Sequence, residues 1–179
     1  MTIALAIVAV VLVLLLLAIA MRPAAFRIAR SGQVRAAPDT VFALINDFSQ
    51  WPSWSPFEAI DPAMTRTIST PSHGTGASYA WSGNAKAGAG TMTISASAAP
   101  RRVAMSLAFT RPFACTNQVR FDVEPSGDGS RVSWIMEGRN GFMGKAMSLV
   151  CNMDRMIGKD FELGLANLDR AAQAAADPS

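Results

Sequence analysis

Six short segments of alternating polarity, followed by one long helical stripe, constrain this chain more than anything else in it. Residues 64–69, 76–82, 91–98, 103–109, 114–124 and 131–138 each carry period-two character. Pro71-Ser72-His73-Gly74, Gly83-Asn84, Ala99-Pro100, Arg111-Pro112 and Ser126-Gly127-Asp128-Gly129 punctuate them as turns. Sequential strands joined by such short turns make an antiparallel meander. From about 144 to 175 the period changes. Ala146, Val150, Met153, Ile157, Phe161, Leu165 and Leu168 recur every three or four residues and predict one long helix, with Lys159, Asp160, Glu162 and Arg170 off the stripe. Gly158 and Gly164 cost helix propensity, and they let such a helix lie close to a sheet.

Ahead of the meander, 26–36 alternates imperfectly and predicts a further strand, with Gly32 as a bulge. Ala37-Pro38-Asp39 opens a short helix whose apolar face is Val41, Phe42, Leu44 and Ile45, ending near Asn46-Asp47. The expected class is α+β: a seven-stranded antiparallel sheet curved around a long C-terminal helix. A sheet of that size must cover one face, and the last helix is the only large element left to do so. The gap between them either collapses or holds a ligand.

Residues 2–21, TIALAIVAVVLVLLLLAIAM, contain no charge. At 1.5 Å per residue they extend roughly 30 Å, the thickness of a bilayer's hydrocarbon core. Ala18-Ile19-Ala20 resembles a signal-peptide cleavage site, but a signal peptide has a basic start and a shorter apolar core, and no Lys or Arg precedes this run. The reading is a retained transmembrane anchor over 1–21, a linker at 22–25, a folded domain over 26–175 and a tail at 176–179. Arg22, Arg27, Arg30 and Arg35 follow the span. Basic residues flank membrane spans on the cytoplasmic side, so the domain is expected in the cytoplasm as part of a single-pass membrane protein. Ordinary strand solubility also accounts for some of these arginines.

Several chemistries lack their residues. The formal charge of +3 is modest and no block of Lys and Arg with interleaved aromatics occurs in the domain, which argues against nucleic acid as a partner. Cys115 and Cys151 stand far apart without metal-type spacing, and no cluster of His, Cys and carboxylates suggests a metal or a cofactor. Gly74-Thr75-Gly76 and Gly88-Ala89-Gly90 open no helix and are strand turns, not phosphate loops. The single histidine, His73, sits in a Pro/Gly turn. No carboxylate pair shows acid–base spacing, so no catalytic residue is assigned.

Alternation instead assigns an interior. Met92 and Ile94 share a face of one strand; Val103, Met105, Leu107 and Phe109 of the next; Cys115, Asn117, Val119, Phe121 and Val123 of a third; Val132, Trp134 and Met136 of a fourth. With Val150, Met153 and Ile157 from the helical stripe they form an apolar, methionine-rich surface, suited either to a solid core or to an adaptable pocket. Tyr79, Trp81 and Asn117 offer polar contacts to a ligand, and Glu58 and Arg66 project near the cavity mouth. The turn NDFSQWPSWSPFE places Trp51, Trp54 and Phe57 together. Either these rings seal the end of the sheet, or Trp54 and Phe57 rim a cavity while Trp51 packs inward against the short helix.

The element order, together with A-x-P-D-x-V-F-A-L-I-N-D-F-x-x-W-P-x-W-S-P-F and the later segment from Asn152-Met153-Asp154-Arg155-Met156 to Leu168, resembles the START-like (SRPBCC, helix-grip) superfamily in its polyketide cyclase/dehydrase-like branch. The resemblance covers 26–172. It implies a sheet–helix cavity for a hydrophobic small molecule such as a lipid, a quinone or a polyketide, and the membrane span is an addition to the basic domain. Because one fold hosts many sites, a cyclase/dehydratase that folds a keto chain with Tyr, Glu or Arg moving protons, and an interaction module with a vestigial cavity, remain alternatives.

Overall fold

The turn residues divide the chain where the alternation places them. The structure, a computed structural model, describes residues 1–176; residues 177–179 of the expected tail, and the side chain of Val150, fall outside the description. The first helix, α1 (Thr2–Ala20), is apolar all round and exposed along its length except at Ile19. By length and composition it can cross a membrane. Strand β1 (Ala25–Val34) follows directly, and then α2 (Pro38–Asn46), with Pro38 preset for the first turn and Asp39 against the helix dipole. Two 3₁₀ turns, Phe48–Ser53 and Pro56–Ala59, carry the aromatic segment. The meander is β2 (Thr65–Ile68), β3 (Ser78–Ser82), β4 (Ala89–Ala98), β5 (Arg102–Arg111), β6 (Cys115–Ser126) and β7 (Gly129–Arg139).

All seven strands form one antiparallel sheet in the order β1-β7-β6-β5-β4-β3-β2. β1 pairs with β7 without a break from Ala25↔Arg139 to Val34↔Ser130. Gly32 is therefore not a bulge; its missing side chain makes room for Leu165, whose Cβ would stand 3.3 Å from an added Cβ. The register shifts lie elsewhere, at Ala89/Gly90 and Ile94/Ala96 on β4, where they bend the sheet.

The C-terminal segment is two helices, not the single one expected. α3 (Phe142–Val150) ends at extended Cys151, and α4 (Met153–Ala176) begins afresh. Asn152 causes the restart: its side-chain oxygen accepts from the Arg155 N–H at 2.9 Å, a capping bond that competes with helix continuation. α3 packs on α1.

α4 lies over β1, and α2 packs on α4 and on the β5–β7 region. Gly164 brings α4 down onto the sheet, because an added Cβ would sit 2.6 Å from the Trp134 ring and 3.0 Å from Pro56. Gly158 lies directly over the Arg30 guanidinium. Arg30 joins β1 to Glu162 at 2.8 Å and Asp154 at 3.1 Å, and Arg35 reaches Asp169 at 2.7 Å. These guanidiniums hold the Asp154 and Asp169 carboxyls below the ordinary carboxylate range. Three of the four arginines between α1 and α2 thus have carboxylate partners, Arg27 with Glu137 included; Arg22 has none among the described residues.

Candidate functional site

The sheet's register sets the interior out in rows. Tyr79, Met92, Leu107, Asn117, Gly138 and Phe26 stand opposite one another across six strands. The next row toward the β7–α3 end runs Trp81, Gly90, Phe109, Cys115. In the other direction lies Ile94, Met105, Val119, Met136, Ile28, and beyond it Ser97, Val103, Phe121, Trp134. α4 covers the β1 side of these rows, and the β2–β5 side is left open beneath α3. The space is a cavity of about 780 Å³, within the usual range for small-molecule sites.

The cavity narrows across the rows. Of the first row, every residue but Gly138 borders it, and Gly138 is a hollow that the Asn117 side-chain oxygen fills. Trp81 lies over Gly90, where an added Cβ would be 2.6 Å from its ring, and meets Phe109 edge-on at 5.5 Å. In the next row Val119 and Met136 reach the cavity but Met105 is fully buried beneath it. In the last, only Trp134 does. Phe57, Met153 and Ile157 line the helical side.

Three of the expected site residues therefore do not border the space. Met105 and Phe121 face inward but are covered by neighbouring side chains, and both are fully buried. Trp54 is not at the rim. It is 1% exposed, donates its indole N–H to the Leu44 carbonyl at 3.2 Å, and packs against Trp51, Phe121 and Trp134 at centroid distances of 4.9, 6.0 and 5.7 Å. Trp51, expected only in the core, donates to the Ile45 carbonyl at 3.0 Å and also borders the cavity. Trp51 packs inward against α2 as expected and Trp54 joins it there, because each indole N–H needs a buried acceptor and the last turn of α2 offers free carbonyls to both. Val150 falls in α3, with its side chain outside the description.

Polar groups border the cavity at one wall, at Tyr79 and Glu58, in the floor at Asn117, and also at Ser55, Lys86, Arg139 and Asn140. The Tyr79 hydroxyl donates to Glu58 at 2.6 Å, and the same carboxylate accepts from the Arg66 Nε at 2.6 Å. Burial, reinforced by this bond to Glu58, pushes the Tyr79 phenol well above its ordinary value, so it keeps its proton. Asn117 is buried in the floor, and no described residue hydrogen-bonds its amide. Trp134 stacks on Phe161 at 4.2 Å, and its indole N–H is buried without a partner among the described residues. No group of three potential metal ligands occurs among the described residues. Glu58 is engaged twice, which leaves the wall able to orient a polar group more readily than to abstract a proton.

The residues that sequence reasoning missed are at the mouth: Phe26, Phe113, Phe142, Met143, Met147 and Met156. Treating 144–175 as one helix hid those on α3. The stretch from Phe142 to Met147 has its own apolar face, and Phe113 follows Pro112 in a turn where an aromatic is unusual.

Comparison with known proteins adds a family and a fold. The family model described as polyketide cyclase / dehydrase and lipid transport matches residues 25–173. No curated protein matches the sequence. Among solved structures, a putative uncharacterized protein from Rhizobium leguminosarum superposes with a TM-score of 0.62 at 11% identity, covering 85% of this chain and 97% of that one. A Rhodobacter sphaeroides protein gives 0.60 at 18%, covering 83% and 92%. The Aha1 dimer from Colwellia psychrerythraea gives 0.54 at 13%, covering 83% and 95%. At these identities the likeness shows the fold alone.

Proposed function

The chain belongs to the polyketide cyclase / dehydrase and lipid transport family, and from that premise we propose that it is a membrane-anchored binder of an uncharged hydrophobic small molecule, a lipid, quinone or polyketide-like compound. The observation that carries this reading is the cavity of about 780 Å³, whose wall is mostly apolar, with the paired Glu58 carboxylate and the Asn117 amide inside and Lys86 and Arg139 at the mouth end. Among the described residues, the deep part of the cavity offers a charge in the ligand no uncompensated counter-charge, and the unpaired cations Lys86 and Arg139 stand at the mouth end. α1 is the anchor in this reading, with the domain on the cytoplasmic side, and it keeps the ligand's membrane reservoir at high effective concentration.

Val119→Trp tests the reading. Val119 borders the cavity, and an indole there intrudes on the space a ligand would occupy. Nile red should bind the full-length protein in detergent and lose that binding in Val119→Trp while far-UV circular dichroism is retained. Undiminished dye binding in the folded variant would refute an internal site. Intact-mass measurement of the membrane-extracted protein tests the anchor, which requires residues 2–21 to be present.

One observation favours a cyclase/dehydratase reading: the Tyr79–Glu58–Arg66 chain opens onto the cavity. A ligand recovered unchanged from the purified protein supports binding; a cyclised or dehydrated product would support catalysis.

A further inference from the structure

The antiparallel register brings the chain's membrane-facing parts to one end of the sheet. β1 starts there at Ala25, opposite the end of β7 at Arg139. The Asn140 N–H donates to the Ala24 carbonyl at 2.7 Å, and α3 begins at Phe142. The β5–β6 turn lies at the same end, because Asn117 of β6 is opposite both Leu107 and Gly138. Lys145 of α3 donates to the Ala20 carbonyl at 3.1 Å, a cation placed on the last turn of α1. Only residues 21–24 separate α1 from β1. Four residues reach about 14 Å at most, so whatever holds α1 holds this end of the sheet beside it.

This end is apolar where a water-facing surface is usually polar. Phe142 is 58% exposed and Phe113 57%, and Met143 and Met147 are exposed beside them. All four line the cavity mouth. Around them stand Arg22, Lys86, Arg111, Arg139 and Lys145, none in an ion pair among the described residues. Nearby carboxylates are already engaged: Glu137 with Arg27, Asp154 with Arg30, Glu58 with Arg66, and Asp61 with the Asn84 N–H. An exposed apolar patch ringed by unpaired cations matches an anionic lipid surface, whose acyl chains and phosphates meet the two kinds of group at different depths.

We propose that α3 and the β5–β6 turn form a bilayer-docking face, with Phe113, Phe142, Met143 and Met147 seated among the lipids of an anionic leaflet and the cavity mouth opening into that leaflet. The proposal rests on the reading of α1 as an anchor and adds to it a fixed orientation: the ligand passes between leaflet and cavity without crossing water. Continuity with α1 and the charge pattern select a membrane over a protein partner for this face.

Site-directed spin labelling of the full chain tests it. In a Cys115→Ser, Cys151→Ser background, a nitroxide is placed singly at Val10→Cys in α1, at Phe113→Cys, Phe142→Cys and Met147→Cys on the face, and at Arg131→Cys at the far end of the sheet. The protein is reconstituted in phosphatidylcholine vesicles with and without phosphatidylglycerol. Collisions with oxygen report lipid, and collisions with a water-soluble nickel chelate report water. With phosphatidylglycerol present, labels at 113, 142 and 147 should resemble the label at 10, with oxygen accessibility severalfold above the label at 131. In phosphatidylcholine alone they should shift toward nickel. Labels on the face that match the one at 131, while the one at 10 stays in lipid, would overturn the docking face and leave the anchor standing. A nickel-accessible label at 10 would overturn the anchor, and the docking face with it. No difference between the two vesicle compositions would overturn the role of the cations. Three label sites on the face keep one misfolded variant from deciding the result.

Discussion

At the end of the sheet where β1 runs into α2, Trp51, Trp54, Phe121 and Trp134 pack ring against ring, and both Trp51 and Trp54 spend their N–H groups on α2 carbonyls. At the opposite end Trp81 of β3, Phe109 of β5 and Phe113 of the β5–β6 turn line a space instead of filling one. The chemistry of the two ends is similar; what differs is what lies above them. α2, α4 and the 3₁₀ turns cover the first, with Gly164 and Pro56 allowing close approach. α3 and the first turns of α4 lie over the second, and the larger side chains of α3 point partly to the outside. Aromatic rings close a core only where a second layer reaches them.

The largest effect that separates the ends is on stability. Trp54→Ala removes a fully buried ring from the sealed end and should cost about 3–5 kcal/mol. Phe142→Ala removes a mostly exposed ring from the open end and should cost under about 0.5 kcal/mol. Chemical denaturation of both variants measures the pair. Similar losses would mean that the two ends are not differently packed.

A smaller effect is expected at the boundary between them, where Tyr79 meets Glu58. Loss of a hydrogen bond to a charged group in Tyr79→Phe should cost about 1.5–3 kcal/mol at neutral pH. The sign of its pH dependence follows from the raised phenol. A proton held more tightly in the folded than in the unfolded state stabilises the fold fully below the unfolded value, near 10.0, and that contribution is lost as pH climbs past it. Wild type should therefore lose stability more steeply than Tyr79→Phe above about pH 10. Parallel alkaline limbs in urea titrations would show that neither burial nor the bond to Glu58 raises the phenol in solution.

The smallest effect is on selectivity in the open end. Asn117 is a neutral polar group in the floor with no protein partner for its amide among the described residues. Asn117→Leu should weaken binding of a long-chain ketone relative to the hydrocarbon of equal length by up to about tenfold, the worth of one hydrogen bond. Competition against Nile red reads the ratio. An unchanged ratio would remove Asn117 from the site.

The sequence by itself determined the layers. Period-two segments and a period-3.6 stripe report which face of each element is apolar, and this is a local property that neighbours in the chain carry. Hence the seven strands, the short helix after Ala37 and the inward faces of β4 to β7 were legible, as were the closely approaching Gly158 and Gly164. Tertiary structure alone decided three things. The break at Asn152 turns on whether its side chain caps a new helix or points to solvent, and periodicity does not register that choice. The burial of Trp54 beside Trp51 depends on which α2 carbonyl each indole reaches and on Phe121 and Trp134 arriving from far along the chain. The mouth depends on register, which sets the start of β1, the end of β7 and the β5–β6 turn at one end of the sheet, beside α1. Pairing between strands is non-local, so no window of sequence contains it.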